Sequence, residues 1–277
     1  MNIPYFISML SIIIITAMIY QVLCPYDRRK ASKTQTELGV WHKTNVYKKK
    51  EIFYTQGLFF ADDNTIIESG GMYKESIIAK MKFPSMEVIV KTKLPDKAFG
   101  EGIAKCGNDV YQLTWRERDV YKYTLDQLKL VQTLKLTSEV QEGWGLSEYE
   151  DGKLIATDGS DKIYTLKCGS LELLDTLHVT YNGKPVYHLN DLTWAHNYIY
   201  ANVYYATQIL KIDPNSGAVV NVYEMKALQN HELKMKTLTI QRLNQGEVLN
   251  GIAYNKNKDN FLVTGKRWGY FYEVDLN

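Results

Sequence analysis

Five copies of one short motif constrain the fold of this chain more than any other feature of its sequence. In each copy a polar or aromatic residue precedes a small or acidic one, and Leu or Ile follows. The copies are Gln56-Gly57-Leu58, Glu101-Gly102-Ile103, Trp144-Gly145-Leu146, Asn190-Asp191-Leu192 and Asn250-Gly251-Ile252. Their middle residues, at positions 57, 102, 145, 191 and 251, are 45, 43, 46 and 60 positions apart. Internal similarity at a nearly fixed period is typical of repeat architectures.

A turn and an apolar, strand-like run follow each motif, at residues 64–68, 109–114, 153–157, 198–203 and 260–264. Most copies add two more runs of this kind, for example 120–124 with 129–136 and 163–167 with 171–179. The turns between them contain Asp-Gly, Pro-Asn-Ser-Gly or Cys-Gly-Ser, which are good turn formers. The longest interval contains the polar stretch 226–245, which we interpret as a loop insertion.

Four strands in about 45 residues is the size of one propeller blade. The pattern therefore predicts an all-β chain folded as a five-bladed β-propeller. The presence of 21 Tyr and only 6 Pro also favours strands. The fifth copy ends before its outermost strand, so we expect residues 38–47 to complete that blade and close the ring. The alternative is a β-sandwich with coincidental spacing, but sandwich strands do not usually repeat one motif five times.

Residues 5–23 form an uncharged apolar segment that is long enough to cross a bilayer as a helix. A secretory signal usually has a shorter apolar stretch and an A-x-A-like cleavage site, so the sequence favours an uncleaved helical anchor over a cleaved signal. We divide the chain into a transmembrane or signal-anchor segment (1–24), a linker (25–37) and a propeller domain (38–277). The basic residues Arg28, Arg29 and Lys30 follow the segment, and by the positive-inside rule alone they would keep the domain in the cytosol.

The charge and the metal-ligating residue types narrow the range of functions. The formal net charge is +2, which provides no strong field for nucleic acid. The histidines are scattered without a zinc-binding spacing, so we predict no catalytic metal site; they are His42, His178, His188, His196 and His231. Three cysteines are too few for a disulfide framework. We interpret Cys106 and Cys168 as free thiols, and Cys24 as a candidate for lipidation.

In a propeller the innermost strand of each blade lines a central channel, so equivalent positions of the copies converge. One ring consists of the first residues of the motifs, Gln56, Glu101, Trp144, Asn190 and Asn250. A second ring, at the end of the following strand, contains Trp115, Asp158 or Gly159, Tyr204 and Lys266. Copies selected only for stability would place similar residues at these positions. Diverse polar and aromatic residues are instead what a ligand site needs.

Eight strings between about residue 50 and residue 275 carry a resemblance to a known family. They are Tyr54-Thr55-Gln56-Gly57-Leu58, Phe99-Gly100-Glu101-Gly102, Gln112-Leu113-Thr114-Trp115, Glu142-Gly143-Trp144-Gly145-Leu146, Leu189-Asn190-Asp191-Leu192, Tyr200-Ala201-Asn202-Val203, Val248-Leu249-Asn250-Gly251-Ile252-Ala253-Tyr254 and Val263-Thr264-Gly265-Lys266. In this order and spacing they closely resemble the plant and bacterial type of glutaminyl-peptide cyclotransferase. That resemblance implies a five-bladed propeller that converts the N-terminal glutamine of peptides or proteins to pyroglutamate and releases ammonia. It also implies that no cofactor is needed for catalysis, and it leaves open a structural ion in the channel.

The resemblance assigns a role to eight positions of this chain. It makes Glu101 the catalytic carboxylate, with Asn190 and Lys266 holding and polarising the substrate amide. The substrate-binding set is Gln56, Phe99, Trp115, Trp144 and Tyr204. Tyr204 stands where the family commonly has Trp, and Tyr54 stands where Phe is common. Both changes keep an aromatic wall and add a hydroxyl, so they bear on side-chain selectivity more than on the reaction.

The substrate class also bears on compartment and partners. N-terminal glutamine is typically exposed after processing of exported peptides, so we expect a monomeric, single-pass protein of the secretory pathway with a lumenal or extracellular domain. The basic residues Arg28, Arg29 and Lys30 argue against this expectation. Two alternatives remain open. One is a non-catalytic propeller that binds a peptide or carbohydrate through the channel face, and the other is a structural lumenal domain that recruits partners through its outer strands.

Overall fold

The computed structural model describes residues 36–150 and 152–277. The predicted N-terminal helix and nearly all of the linker therefore lie outside the described residues. Within the two described ranges, no helix is long and apolar enough to span a membrane.

The described chain is built almost entirely of short antiparallel strands. In chain order they are β1 (Glu37–Leu38), β2 (Trp41–Lys48), β3 (Thr55–Asp62), β4 (Thr65–Gly70), β5 (Ile77–Lys82), β6 (Val88–Lys93), β7 (Gly100–Cys106), β8 (Asp109–Thr114), β9 (Asp119–Thr124), β10 (Leu130–Lys135), β11 (Leu146–Tyr149), β12 (Lys153–Thr157), β13 (Lys162–Lys167), β14 (Leu173–His178), β15 (Thr180–Tyr181), β16 (Lys184–Pro185), β17 (Leu189–Ala195), β18 (Tyr198–Val203), β19 (Gln208–Ile212), β20 (Val219–Glu224), β21 (Leu249–Asn255), β22 (Asn260–Gly265) and β23 (Tyr270–Leu276). Two helices, α1 (Lys226–Lys234) and α2 (Ile240–Asn244), lie between β20 and β21.

The strands form five sheets that correspond to the five copies of the motif. The sheets are β3-β4-β5-β6, β7-β8-β9-β10, β11-β12-β13-β14, β17-β18-β19-β20 and β21-β22-β23 with β2. Each is a blade in which the motif strand is innermost. The five-bladed β-propeller is thus confirmed. A small hairpin, β15-β16, is the remaining sheet of the described chain.

The N-terminal strand closes the ring as expected. β2 pairs antiparallel with β23, from Trp41 opposite Leu276 to Lys48 opposite Tyr270, and supplies the missing outer strand of the fifth blade. The residues just before it make a pairing that the repeats do not predict. β1 pairs in parallel with β20, so the segment also extends the fourth blade.

Five apolar layers, one between each pair of neighbouring blades, hold the ring together. The layer between the first and second blades, for example, packs Ile67 and Ile78 against Ile103 and Val110. The inner strands are buried on both faces, whereas outer strands such as β6 alternate between half-buried and exposed residues. Burial therefore decreases from the channel outward, and the channel-facing positions are the most tightly fixed.

An irregular register at the motif aims its first residue into the channel. The pairing of the inner strand with its neighbour shifts across Gln56, Glu101, Asn190 and Asn250 in four of the blades. Such bulges interrupt the ladder and redirect a side chain. The glycine that follows allows neighbouring inner strands to approach closely, because a Cβ on Gly102 would collide with the backbone of the third blade.

The polar stretch 226–245 is not the loop that we expected, because most of it forms α1 and α2. Leu228 and Leu238 are buried against the fourth and fifth blades beside Trp268. The buried carboxylate of Glu232 accepts hydrogen bonds from the backbone N–H of Gly269 at 2.9 Å and of Tyr270 at 3.0 Å. Hydrogen bonds of this kind, including one from Arg242 to the carbonyl of Arg267 at 2.7 Å, attach the insertion to the propeller together with the two leucines.

The interpretation of Cys106 and Cys168 as free thiols is wrong. The two side chains form a disulfide bond between the end of β7 and the turn after β13. Because these turns belong to the second and third blades, the bond joins two neighbouring blades covalently. Cys24 lies outside the described residues.

Candidate functional site

The two predicted rings meet at one end of the channel because each inner strand pairs antiparallel with the next strand. Gly100 is opposite Thr114, Leu189 is opposite Val203, and Leu249 is opposite Gly265. The residue that follows each pair on the second strand therefore faces the residue that precedes the pair on the inner strand. The backbone N–H groups of Trp115, Tyr204 and Lys266 donate to the carbonyls of Phe99, His188 and Val248 at 3.0, 2.8 and 2.9 Å. Glu101, Asn190 and Asn250 lie two positions further along the inner strands.

A line of side-chain amides leads to the carboxylate of Glu101. The Nδ2 of Asn250 donates to the Oε1 of Gln56 at 3.3 Å and to the carbonyl of Thr55 at 3.0 Å. The Nε2 of Gln56 in turn donates to the Oε1 of Glu101 at 3.0 Å. These hydrogen bonds fix which end of the Gln56 amide faces Glu101.

Glu101 is a carboxyl group held almost entirely out of water. Glu101 is only 5% exposed, and burial raises the pKa of its carboxyl group well above the ordinary value of 4.5. The positive charge of Lys266 opposes this rise, and the negative charges of Glu142, Asp191 and Glu117 add to it. Because the net shift is upward, desolvation outweighs the attraction of Lys266.

Lys266 is an equally unusual cation. It is 3% exposed, and burial lowers its pKa from 10.5 to about 8, against the raising influence of Glu101 and Asp191. Its Nζ lies 4.3 Å from the ring centroid of Tyr204 and 5.3 Å from that of Tyr54. Aromatic faces attract a cation without using its N–H groups, so the ammonium keeps its donors for a bound molecule.

Several polar atoms around the channel have no partner in the described part of the chain. They are the Oδ1 atoms of Asn190, Asp191 and Asn250 and the Nδ2 of Asn202. The other carboxylate oxygen of Asp191 accepts from the backbone N–H of Ile252 at 2.9 Å, which ties the fourth blade to the fifth. Buried polar atoms normally find partners, so the inner strands of the fourth and fifth blades present polar atoms that the described protein residues leave unsatisfied.

Aromatic rings form the walls of the site. Phe99 contacts Trp115 edge to face, with ring centroids 5.6 Å apart. Trp144 meets Tyr204 in the same way at 5.9 Å. The predicted aromatic substrate-binding residues therefore form two groups, and Gln56 lies beside Glu101, to which it donates a hydrogen bond.

Asp158, one of the two residues considered for the second ring in the third blade, does not belong to the aromatic wall. It accepts hydrogen bonds from the hydroxyls of Tyr164 at 2.9 Å and Ser160 at 2.5 Å. Gly159 lies directly beneath the ring of Trp144, where a Cβ would clash with the indole. The wall of this blade is therefore Trp144 itself.

Glu142 is a site residue that the sequence pattern does not predict, yet its carboxylate contacts two of the site's aromatic residues. Its Oε2 accepts from the indole Nε1 of Trp115 at 2.6 Å and from that of Trp144 at 3.0 Å. Nothing in the repeats marks Glu142, because the copies have no common residue type two positions before the motif. The available signal was its position two residues before the motif tryptophan, within one of the strings that carry the family resemblance.

The repeats also do not predict the contacts made by Gly246, the residue that follows the insertion. The hydroxyl of Tyr54 donates to the carbonyl of Gly246 at 3.3 Å, and a Cβ on Gly246 would clash with the hydroxyl of Tyr204.

Within the described residues, no group of three or more His, Cys, Asp and Glu side chains could hold a metal ion.

Comparisons with known proteins agree on one family. A family model described as glutamine cyclotransferase matches residues 14–276. The chain is 29% identical over 278 residues to the glutaminyl-peptide cyclotransferase of Arabidopsis thaliana, covering 98% of this chain and 83% of the relative. It is also similar to the crystal structure of Myxococcus xanthus glutaminyl cyclase, with a TM-score of 0.77, 29% identity, and coverage of 88% of this chain and 99% of that one.

Proposed function

Because the chain belongs to the glutamine cyclotransferase family, we propose that it converts the N-terminal glutamine of peptides and proteins to pyroglutamate with release of ammonia. One observation carries this proposal. A buried carboxyl group with a raised pKa and a buried ammonium group with a lowered pKa lie in one aromatic-walled site, at Glu101 and Lys266. Opposite pKa shifts in one cleft are typical of acid–base chemistry.

The reaction closes a ring within one molecule. The substrate's α-amine nitrogen attacks the δ-amide carbon of the same residue, a C–N bond forms, and the bond to the amide nitrogen breaks as ammonia leaves. Because nucleophile and electrophile belong to one residue, the protein must mainly hold the chain in its closing conformation. The rings of Phe99, Trp115, Trp144 and Tyr204 are placed to do this.

Glu101 is the proposed proton shuttle. The α-amine loses a proton when it attacks, and the departing nitrogen gains one. A single carboxyl group between the two nitrogens serves both steps, and a pKa raised toward the working pH suits it to take up and return a proton. The hydrogen bond from Gln56 holds the carboxylate in place.

Lys266 and Asn190 are the proposed donors to the amide oxygen of the substrate. Negative charge grows on this oxygen as the tetrahedral intermediate forms, and donors fixed in a dry site stabilise it. The Nζ of Lys266 is held by two aromatic faces, so its N–H groups are available. The side chain of Asn190 is buried at the same end of the channel.

The proposal is tested with the purified full-length chain and three peptides that differ only at the N-terminus. A Gln-initiated peptide should release one ammonia per molecule and become blocked to N-terminal sequencing. An Asn-initiated peptide should not react, because its ring would be strained and four-membered. An Nα-acetylated Gln peptide lacks the nucleophile and should not react either. If the Gln peptide binds but releases no ammonia, the chain is instead a peptide-binding propeller.

We further propose that catalysis needs no metal ion. The mechanism above uses only side chains of the described chain, and the amide oxygen has Lys266 as its cationic partner. Activity should therefore survive prolonged treatment with a strong chelator. Loss of activity that zinc restores would overturn this part of the proposal.

We also propose a lumenal or extracellular position for the propeller, behind an uncleaved anchor at residues 5–23. The Cys106–Cys168 disulfide supports it, since such bonds persist in oxidising compartments. The basic flank Arg28-Arg29-Lys30 opposes it. Protection of the domain from added protease in intact microsomes is the expected result, and digestion without detergent would refute this orientation.

A further inference from the structure

Glu142 lies at the junction of the two tryptophans that wall the site. It belongs to the connection between β10 and β11, two residues before Trp144. One of its oxygens, Oε2, accepts both indole N–H groups, at 2.6 Å from Trp115 and 3.0 Å from Trp144. Hydrogen bonds to an ionised acceptor are roughly twice as strong as neutral ones, so a single carboxylate atom sets the spacing of two rings that come from different blades.

Each of the two indoles is also held on a second side. The guanidinium of Arg116 lies 3.9 Å from the ring centroid of Trp115, and its Nε donates to the other oxygen of Glu142 at 3.3 Å. The ring of Trp144 rests on Gly159. Phe99 also contacts Trp115 and Tyr204 also contacts Trp144, so each ring is held by several neighbours, yet both tryptophans are only half-buried.

A purely structural ion pair would be a weaker explanation for Glu142. The side chain of Arg116 is 65% exposed and that of Glu142 is 31% exposed. Ion pairs this accessible to solvent contribute little to stability. The two indole bonds, by contrast, point into the site and engage no other acceptor within the described residues.

We propose that Glu142 is a positioning residue that holds Trp115 and Trp144 at the separation needed to clamp the glutaminyl side chain. This proposal rests on the proposed function, because it assigns a task within the same site. Glu142 does not touch the reacting atoms; it acts through the two rings.

Glu142 has a second, separable influence on the site. Its negative charge is one of those that raise the pKa of Glu101, together with Asp191 and Glu117 and against Lys266. The length of the Glu142 side chain and its negative charge can therefore be changed separately. Glu142→Asp keeps the charge but shortens the side chain by one methylene, whereas Glu142→Gln keeps the reach and an acceptor oxygen but removes the charge. The exposed Arg116 can turn away from the new amide.

The experiment measures kcat and KM for a Gln-initiated peptide across pH in both variants. Glu142→Asp should raise KM about tenfold, the effect of losing a hydrogen bond to a charged group, with little change in the acid limb of kcat. Glu142→Gln keeps neutral hydrogen bonds to both indoles, so it should raise KM less than Glu142→Asp does. It should also shift the acid limb to lower pH, because Glu101 loses one charge that favours its protonated form. Glu139 lies in the same connection and is exposed, so Glu139→Asp and Glu139→Gln are matched controls and should behave like the unmodified chain.

Binding of the product, a pyroglutamyl peptide, provides a readout that does not depend on catalysis. Calorimetry should show weaker binding to Glu142→Asp than to Glu142→Gln. If the unmodified chain releases no ammonia, the proposed function fails. The difference in peptide affinity between Glu142→Asp and Glu142→Gln then still tests whether Glu142 positions the two tryptophans. An unchanged KM and unchanged product affinity in Glu142→Asp, in a variant that unfolds like the unmodified chain, would overturn the proposal.

Discussion

At the scale of single residues, the proposed chemistry depends on two ionisable groups that water would normally surround. Burial pushes the pKa of Glu101 up and that of Lys266 down to about 8, so each is brought toward neutral pH. Neither shift follows from the residue type. Both follow from the channel, which surrounds each group with backbone and aromatic rings from several blades.

The burial of Glu101 should cost stability, and its replacement should recover it. A carboxyl group with a raised folded-state pKa binds more protons in the folded than in the unfolded chain, so its contribution is fully present below pH 4.5 and is lost as pH rises through the folded pKa. Glu101→Gln should therefore raise Tm at neutral pH but not below the ordinary pKa. Calorimetric melting at both pH values checks this, and a lower Tm at neutral pH would show that the carboxylate is stabilised where it lies.

Lys266 should produce the alkaline limb of the pH–rate profile. As pH rises through about 8 its ammonium loses the proton, and the donor to the substrate oxygen loses its charge. We expect kcat to fall in this range, and Lys266→Met to lower kcat about 10²–10³-fold and to abolish the limb. The α-amine of the substrate titrates in the same way with the unmodified chain and with Lys266→Met, so a difference between their pH–rate profiles reports on Lys266. An alkaline limb that persists in Lys266→Met would show that another group produces it.

The repeats predicted most of these residues, and the reason is geometric. Gln56, Glu101 and Asn190 occupy equivalent positions of a closed ring, so their convergence follows from the spacing of the motifs alone. Glu142 occupies no repeated position, and its contact with Trp115 arises only when the second and third blades are packed. The pKa shifts were beyond prediction for the same reason, because they depend on how much water the packed ring excludes.

At the scale of elements, three of the five strands that follow the motif have their expected bounds, whereas β4 is Thr65–Gly70 instead of 64–68 and β22 extends one residue beyond 260–264. The elements between the blades differ more from the expectation. Strands β8, β12 and β18 begin and end where the apolar runs do, because turn residues flank them. The insertion was misread because α1 and α2 bury few apolar side chains and look polar throughout. The disulfide was missed because Cys106 and Cys168 are 62 residues apart and meet only when two blades pack together.

Glu232 should be the residue on which the insertion depends. Its buried carboxylate accepts from Gly269, Tyr270, Tyr272 and Thr237. Glu232→Ala leaves two backbone N–H groups buried without an acceptor, which should cost about 3 kcal/mol or more. Urea unfolding and limited proteolysis within 226–245 measure the effect. Asn230→Ala on the exposed side of α1 is the control, and equal behaviour of both variants would show that other contacts hold the helices.

At the scale of the whole molecule, two different contacts close the ring. One is the β2–β23 pairing, which the missing outer strand predicted. The other follows directly in the chain: Lys49 forms a buried ion pair with Glu68 of the first blade at 2.8 Å and donates to Thr55 at 3.1 Å. The segment that completes the fifth blade is thereby attached to the first, a link that no pattern in the sequence indicated.

Breaking that link from one side should destabilise the propeller more than removing it entirely. Lys49→Met leaves the carboxylate of Glu68 buried without its cation, which should cost about 3–5 kcal/mol, whereas the double variant Lys49→Met/Glu68→Met should recover most of the loss. A double-mutant cycle by urea unfolding measures the coupling between the two residues. Additive losses would mean that the pair does not act as a unit.

We propose that five blades converge to place the buried carboxyl group of Glu101 where it can carry a proton from the attacking amine to the leaving ammonia. Ammonia release by Glu101→Gln from a Gln-initiated peptide tests it most directly, since the substitution keeps size and hydrogen bonding but removes proton exchange. We predict a fall in kcat of about 10²–10⁴-fold with nearly unchanged affinity for the pyroglutamyl product. Turnover close to that of the unmodified chain, in a correctly folded variant, would contradict the account.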